Sequence, residues 1–239
     1  MITVMKIHRL IPLAFPVLLF GASVDEGYFA YASGDYNRSF ELLRSCGLGG
    51  RPGVSFLLGK MYLEGLGTLR NEAEGVRLLS AAADGGHSGA AGLLMDYYAK
   101  AGEAEKALRW YRRLPEAERK NRRLEAAGLY RLNGENDRAF AIYRQMSNRY
   151  RVPEPTYEMG RMYENGEGRP VDIDAALMLY RAAAKKRYEP AEYRLGLLLA
   201  ERCREEARTW LERVAYRFPD VPDVIARMRR NCPEQNLSE

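Results

Sequence analysis

The stretch from Pro155 to Lys186, PTYEMGRMYENGEGRPVDIDAALMLYRAAAKK, constrains the fold more than any other part of the chain. It reads as one helical hairpin. Tyr157, Met159, Gly160 and Tyr163 supply the packing face of a first helix. Asn165 to Pro170 forms a turn, because glycine reaches positive φ without penalty and proline removes a backbone donor. Asp172 and Asp174 are both candidate caps for a second helix, in which Ala175, Ala176, Leu179, Tyr180 and Ala182 to Ala184 give a face of mostly small residues. The pattern returns: Tyr157 and Gly160 become Tyr193 and Gly196, each 36 residues later. An earlier copy surrounds Leu58-Gly59-Lys60-Met61-Tyr62, followed by Glu64-Gly65-Leu66-Gly67 and Leu78 to Ala83. A fixed period of this size marks a helical solenoid. The expected fold is all-α, a right-handed α-solenoid of stacked helix-turn-helix units closed by a C-terminal capping helix.

The segments LGKMYLEGLGT…EAEGVRLLSAAADGG and MGRMYENGEGRPVDIDAALMLYRAAAKK resemble Sel1-like repeats, relatives of the tetratricopeptide repeats. The resemblance rests on the Gly-x-x-Tyr step, the Gly-x-Gly turn and the Ala-Ala pair. Gly75 stands where that family usually has alanine, which keeps close packing possible. The segments Val24–Cys46, His87–Leu114, Leu124–Tyr150 and Tyr188–Phe218 look more like tetratricopeptide hairpins, with turns at Ser33-Gly34-Asp35, Ala101-Gly102-Glu103 and Asn133-Gly134-Glu135 in the first three. In Tyr188–Phe218, Glu201 to Arg204 replaces the glycine turn. In the first hairpin, Phe29, Tyr31 and Tyr36 are expected in the core, facing Phe40 and Leu43. Pro115 to Arg123 is highly charged and reads as a solvated connector or helix start, with a binding patch as the alternative.

The N-terminus has the build of an export signal. Lys6, His8 and Arg9 precede the apolar run Leu10 to Phe20, and Gly21-Ala22-Ser23 supplies small residues for cleavage. That run is shorter than the roughly 20 residues of a membrane span. The expected organisation is a signal peptide at 1–23, a repeat array at 24–219, and a cap and tail at 220–239, with the mature protein in the periplasm. Cleavage removes two cations from a formal charge of +5 and leaves +3. Acidic residues are interspersed throughout, so no nucleic-acid footprint is expected. No stable membrane anchor is expected either.

Little in the sequence points to chemistry. After residue 23 the one histidine is His87, at a repeat junction and without a nucleophile motif. The glycines between Gly47 and Gly53 lack the Lys-Ser/Thr ending of a phosphate loop. The cysteines, at 46, 203 and 232, have no metal-ligand spacing, so no cofactor or metal is expected and the chain is read as not an enzyme. In an oxidising compartment Cys203 and Cys232 are candidates for a disulfide tying the terminal segment to the last hairpin; the alternative leaves both as thiols. Variable first-helix positions, Lys60, Glu64, Asp96, Tyr97, Glu158, Arg161, Arg194 and Leu197, are the candidate partner-binding residues. By size, export and repeat type, the chain resembles periplasmic immunity proteins that bind phospholipase D-type effectors of type VI secretion. Two alternatives stand beside this: an envelope scaffold for exopolysaccharide or secretion assembly, and a secreted hydrolase acting on the cell wall.

Overall fold

A computed structural model describes residues 24–47 and 51–232. The expected signal segment, the middle of the glycine-rich link and the last residues of the tail lie outside the described residues. Fourteen helices are present among those described, with no strand. Two compact units divide between Ala90 and Ala91, within α5 (Ser88–Lys100).

The first unit holds two hairpins, α1 (Val24–Ala32) with α2 (Tyr36–Ser45), and α3 (Pro52–Glu64) with α4 (Glu72–Asp84). Gly34 makes the first turn at φ 81°, and Asp35 caps α2 by accepting from the Arg38 N–H at 3.2 Å. Phe40, Leu43, Val54, Leu57, Leu58, Met61 and Leu78 form the core, with Tyr31 and Tyr36 packed at its edge. Phe29 is not part of this core: it is 74% exposed. Gly27 and Ala30, three residues apart, are the buried face of α1, and that register turns Phe29 to solvent. Between α3 and α4 the backbones nearly touch. A Cβ on Gly75 would stand 2.9 Å from the Gly59 carbonyl oxygen and 2.7 Å from Leu63 Cδ2. Gly75 is therefore required here; an alanine methyl has no room.

The second unit begins in α5, joined through Gly102 to α6 (Ala104–Tyr111). The charged stretch becomes the short α7 (Glu116–Asn121), which buries no residue. Hairpins follow from α8 (Arg123–Leu132) with α9 (Asn136–Tyr150), α10 (Pro153–Asn165) with α11 (Ile173–Ala184), and α12 (Glu189–Glu201) with α13 (Glu206–Val214). Neighbouring hairpins pack through α9 on α10 and α11 on α12. The last helix, α14 (Val221–Asn231), packs on both α12 and α13. Its Met228 joins the core of Tyr180, Leu195, Leu198 and Leu199.

The two Gly-x-Gly turns are built alike. Gly65 and Gly166 both end a helix at φ 71°, donating to the Met61 and Met162 carbonyls. Asn71 and Asp172 then cap the second helices, accepting from Glu74 N at 3.1 Å and Ala175 N at 2.9 Å. Asp172 is thus the cap, while Asp174 pairs with Arg202 at 2.7 Å. The second glycine of each turn has a separate task. A Cβ on Gly67 would fall 2.1 Å from the Tyr36 carbonyl oxygen, and one on Gly168 would fall 2.5 Å from Asn136 Cβ. Tyr36 and Asn136 open α2 and α9, so each turn rests on the start of the preceding hairpin's second helix.

Candidate protein-binding surface

First helices α8, α10 and α12 are linked through charged side chains. On α8, Arg131 donates to both carboxylate oxygens of Glu167 at 3.2 Å, and its Nε lies 3.9 Å from Glu158 of α10. Glu158 also accepts from Arg161, one turn on, at 3.4 Å. Further along α10, Glu164 receives the Arg194 guanidinium of α12 in a bidentate contact, with Nε at 3.0 Å. The Tyr180 hydroxyl of α11 donates to the same carboxylate at 2.6 Å. Burial would raise the Glu164 pKa, but the hydrogen bonds from Arg194 and Tyr180 outweigh it and hold the carboxyl below its ordinary value. The Tyr180 phenol is pushed up, by burial first and by Glu164 second. Glu164 lies one turn beyond Gly160, on the face where Tyr180 crosses. A Cβ on Gly160 would be 2.7 Å from the Tyr180 ring.

Of the expected partner-binding residues, the stacking brings together Glu158, Arg161 and Arg194. Arg194 is held by Glu164, whose side chain is only 8% exposed, while its own side chain stays 37% exposed. Asp96 is likewise engaged: Arg122 reaches back to it, donating also to the Gly92 carbonyl at 3.2 Å and to Glu125 at 2.9 Å. Arg122 comes from the stretch read as a solvated connector, yet its side chain is largely covered. Tyr97 packs edge-on against Tyr98, with ring centroids 5.2 Å apart. Lys60 lies over the Tyr31 ring of α1 at 5.6 Å, and Glu64 is exposed one turn beyond it in the first unit. Leu197 lines a hollow between α12 and α14, along with Tyr193, Val224 and Arg227. Tyr193 stacks on Phe218 and donates to Asp220, and burial and that bond push its phenol up to about 12.

Sequence reasoning missed several supporting pairs, including Glu192 on α12, which is 3% exposed and receives Arg213 of α13 at 2.6 Å. Glu164, Glu192 and Arg122 carried no signal of these pairings, which form only once the helices have stacked. Cys203 and Cys232 are joined by a disulfide, and Cys46 remains a half-buried thiol. His87 stacks on Phe56, with ring centroids 4.1 Å apart. Among the described residues no group of acids, cysteines and histidines is arranged to hold a metal ion, and none of the described helices is long and apolar enough to cross a membrane.

The paired Gly-x-Gly turns and the glycine contacts beneath them coincide with a known pattern: the Sel1 repeat model matches residues 55–87, 99–114 and 156–188. Over these segments the chain is similar to Sel1 repeats. The two longer matches take in α3–α4 and α10–α11, where the turns have the same geometry. The short one begins after Met95, which stands in place of the packing glycine of α5. A Sel1 repeat protein from Oxalobacter formigenes has a similar solved structure, with a TM-score of 0.51 at 20% identity over 90% of this chain and 95% of that one. A protective antigen of uropathogenic Escherichia coli strains with an SLR fold is also similar, with a TM-score of 0.44 and 16% identity over 89% of this chain and 57% of the antigen. No curated protein matches the chain. Sel1 repeats mediate protein–protein interaction.

Proposed function

We propose that this chain is an exported Sel1-repeat protein that binds a protein partner through its first-helix face, and that the partner is a phospholipase D-type effector of type VI secretion. In this reading the protein is a periplasmic immunity protein that acts by occlusion, not by catalysis. The observation that supports the binding face is the fixed set of arginines on it. Arg161 and Arg194 are each held by a carboxylate, yet their side chains remain 36% and 37% exposed. A guanidinium has five N–H donors, and the contacts described leave some of them to face solvent. Side chains ordered before binding lose less entropy when a partner arrives. The basic and apolar signal-like segment before Gly21 supports export, which the immunity assignment requires.

The test is a titration of phospholipid hydrolysis by a purified phospholipase D-type effector. Hydrolysis should stop near equimolar protein, and Arg161→Ala should shift the titration to higher concentration. An effector that stays fully active with excess protein present contradicts the reading.

A further inference from the structure

A second surface lies at the edge where second helices end and the next first helices begin. The connection after α9 runs through Arg151, and the one after α11 through Lys185, Lys186 and Arg187; all four side chains are exposed. Lys186 Nζ donates to the Arg151 carbonyl at 2.5 Å, which ties the two connections together. Among the described residues no carboxylate forms an ion pair with Arg151, Lys185 or Arg187. Of the acids that open the adjoining helices, Glu189 is already engaged by Tyr216 and by Arg217 at 2.8 Å. Glu154 remains. The edge therefore carries an excess of positive charge.

The backbone at this edge points further. Arg151 and Arg187 adopt φ of 53° and 63°, the left-handed region that favours glycine. They are 36 residues apart, one at each of two successive connections. The other long-turn hairpin places Gly86 at the position of Arg187, at φ 88°. There the sequence is Asp84-Gly85-Gly86, and here it is Lys185-Lys186-Arg187. A cation at the end of α11 complements the helix dipole, but that effect does not call for arginine at the left-handed position, where glycine would fit without strain.

We infer that Arg151, Lys185, Lys186 and Arg187 form a docking surface for an acidic segment of a protein partner. The inference rests on the protein-binding reading above and adds a second contact to it. A planar guanidinium on a fixed turn suits bidentate pairing with a carboxylate. A carboxylate-rich protein segment complements the excess positive charge of this edge along its length and is the occupant.

The probe is a fluorescein-labelled decaglutamate peptide, its binding followed by anisotropy at low salt. The double variant Arg151→Gly, Arg187→Gly removes both guanidiniums and leaves residues suited to the backbone. Affinity for the peptide should fall about tenfold or more, while the melting temperature stays the same or rises. Arg161→Ala should leave peptide affinity unchanged. Equal peptide affinity in the double variant overturns the inference, as does a lowered melting temperature, which would make the arginines structural. Sedimentation of the wild type with phosphatidylglycerol vesicles, without binding to the peptide, also overturns it. The two proposals fail separately. If the effector is inhibited equally by the double variant, the edge surface is wrong and the immunity reading stands. If peptide binding needs both arginines but the effector is not inhibited, the surface stands and the immunity reading falls.

Discussion

Glu164 shows how far a single residue depends on its neighbours. Its pKa is depressed because Arg194 and Tyr180 favour the charged form against the cost of burial. A depressed folded-state value contributes stability above the unfolded value of about 4.3, and that contribution is lost as pH falls through the folded value. Thermal melts of the wild type and Glu164→Gln from neutral to acidic pH should therefore differ most above about pH 4.3 and converge below it. A constant difference across that range would mean that the carboxylate charge contributes nothing. The glycines make a different residue-scale case. Gly160→Ala adds a methyl against the Tyr180 ring, and Gly75→Ala adds one against the Gly59 carbonyl. Each should cost about 1–3 kcal/mol in urea denaturation. Gly75→Ala should be the more damaging, because a backbone oxygen cannot rotate away as a ring can.

At the scale of elements, the short turns share one hydrogen bond. Asp35 N to Ala30 O, Glu103 N to Tyr98 O, Glu135 N to Tyr130 O and Arg204 N to Leu199 O are all between 2.8 and 2.9 Å. In the first three turns the residue before the donor is glycine at φ 75° to 81°; in the last it is Cys203, at φ 53°. The cysteine takes a conformation suited to glycine and supplies the disulfide that fastens α14 to the end of α12. Replacing both cysteines by alanine should cost about 3–4 kcal/mol for a separation of 29 residues. Cys203→Gly with Cys232→Ala should recover about 1 kcal/mol of that loss, because the turn regains its preferred residue. Equal stability of the two double variants, measured by urea denaturation, would show that the left-handed turn at Cys203 carries no cost.

The hairpins were legible because their positions follow from backbone demands. Positive φ asks for glycine at residues 65 and 166, and close helix approach asks for it at 59 and 160. Capping asks for Asn71 and Asp172. These demands are local and leave a mark in the sequence. The ion pairs were not legible, because Arg194 and Glu164 meet across 30 residues only after two helices have stacked, and any arginine in the sequence offers the same signal. Arg122 shows the same limit: a run of charges gives no sign of which member folds back onto α5. Phe29 failed for a related reason, since aromatic character alone does not say which way a short helix turns.

At the scale of the whole molecule, the repeats use their consensus residues to pack hairpins and leave polar faces and connections at the surface. Those faces are where a partner is expected to bind. If the N-terminal segment is removed on export, the mature chain keeps a formal charge of +3, enough to favour an acidic partner without dominating its choice. The most direct test is capture from the native cell envelope with tagged mature protein, followed by mass spectrometry. A phospholipase D-type protein should be recovered in stoichiometric amount and lost when both Arg161 and the edge arginines are replaced. Recovery of polymer-export or cell-wall machinery instead, or of no protein above background, would contradict the immunity reading.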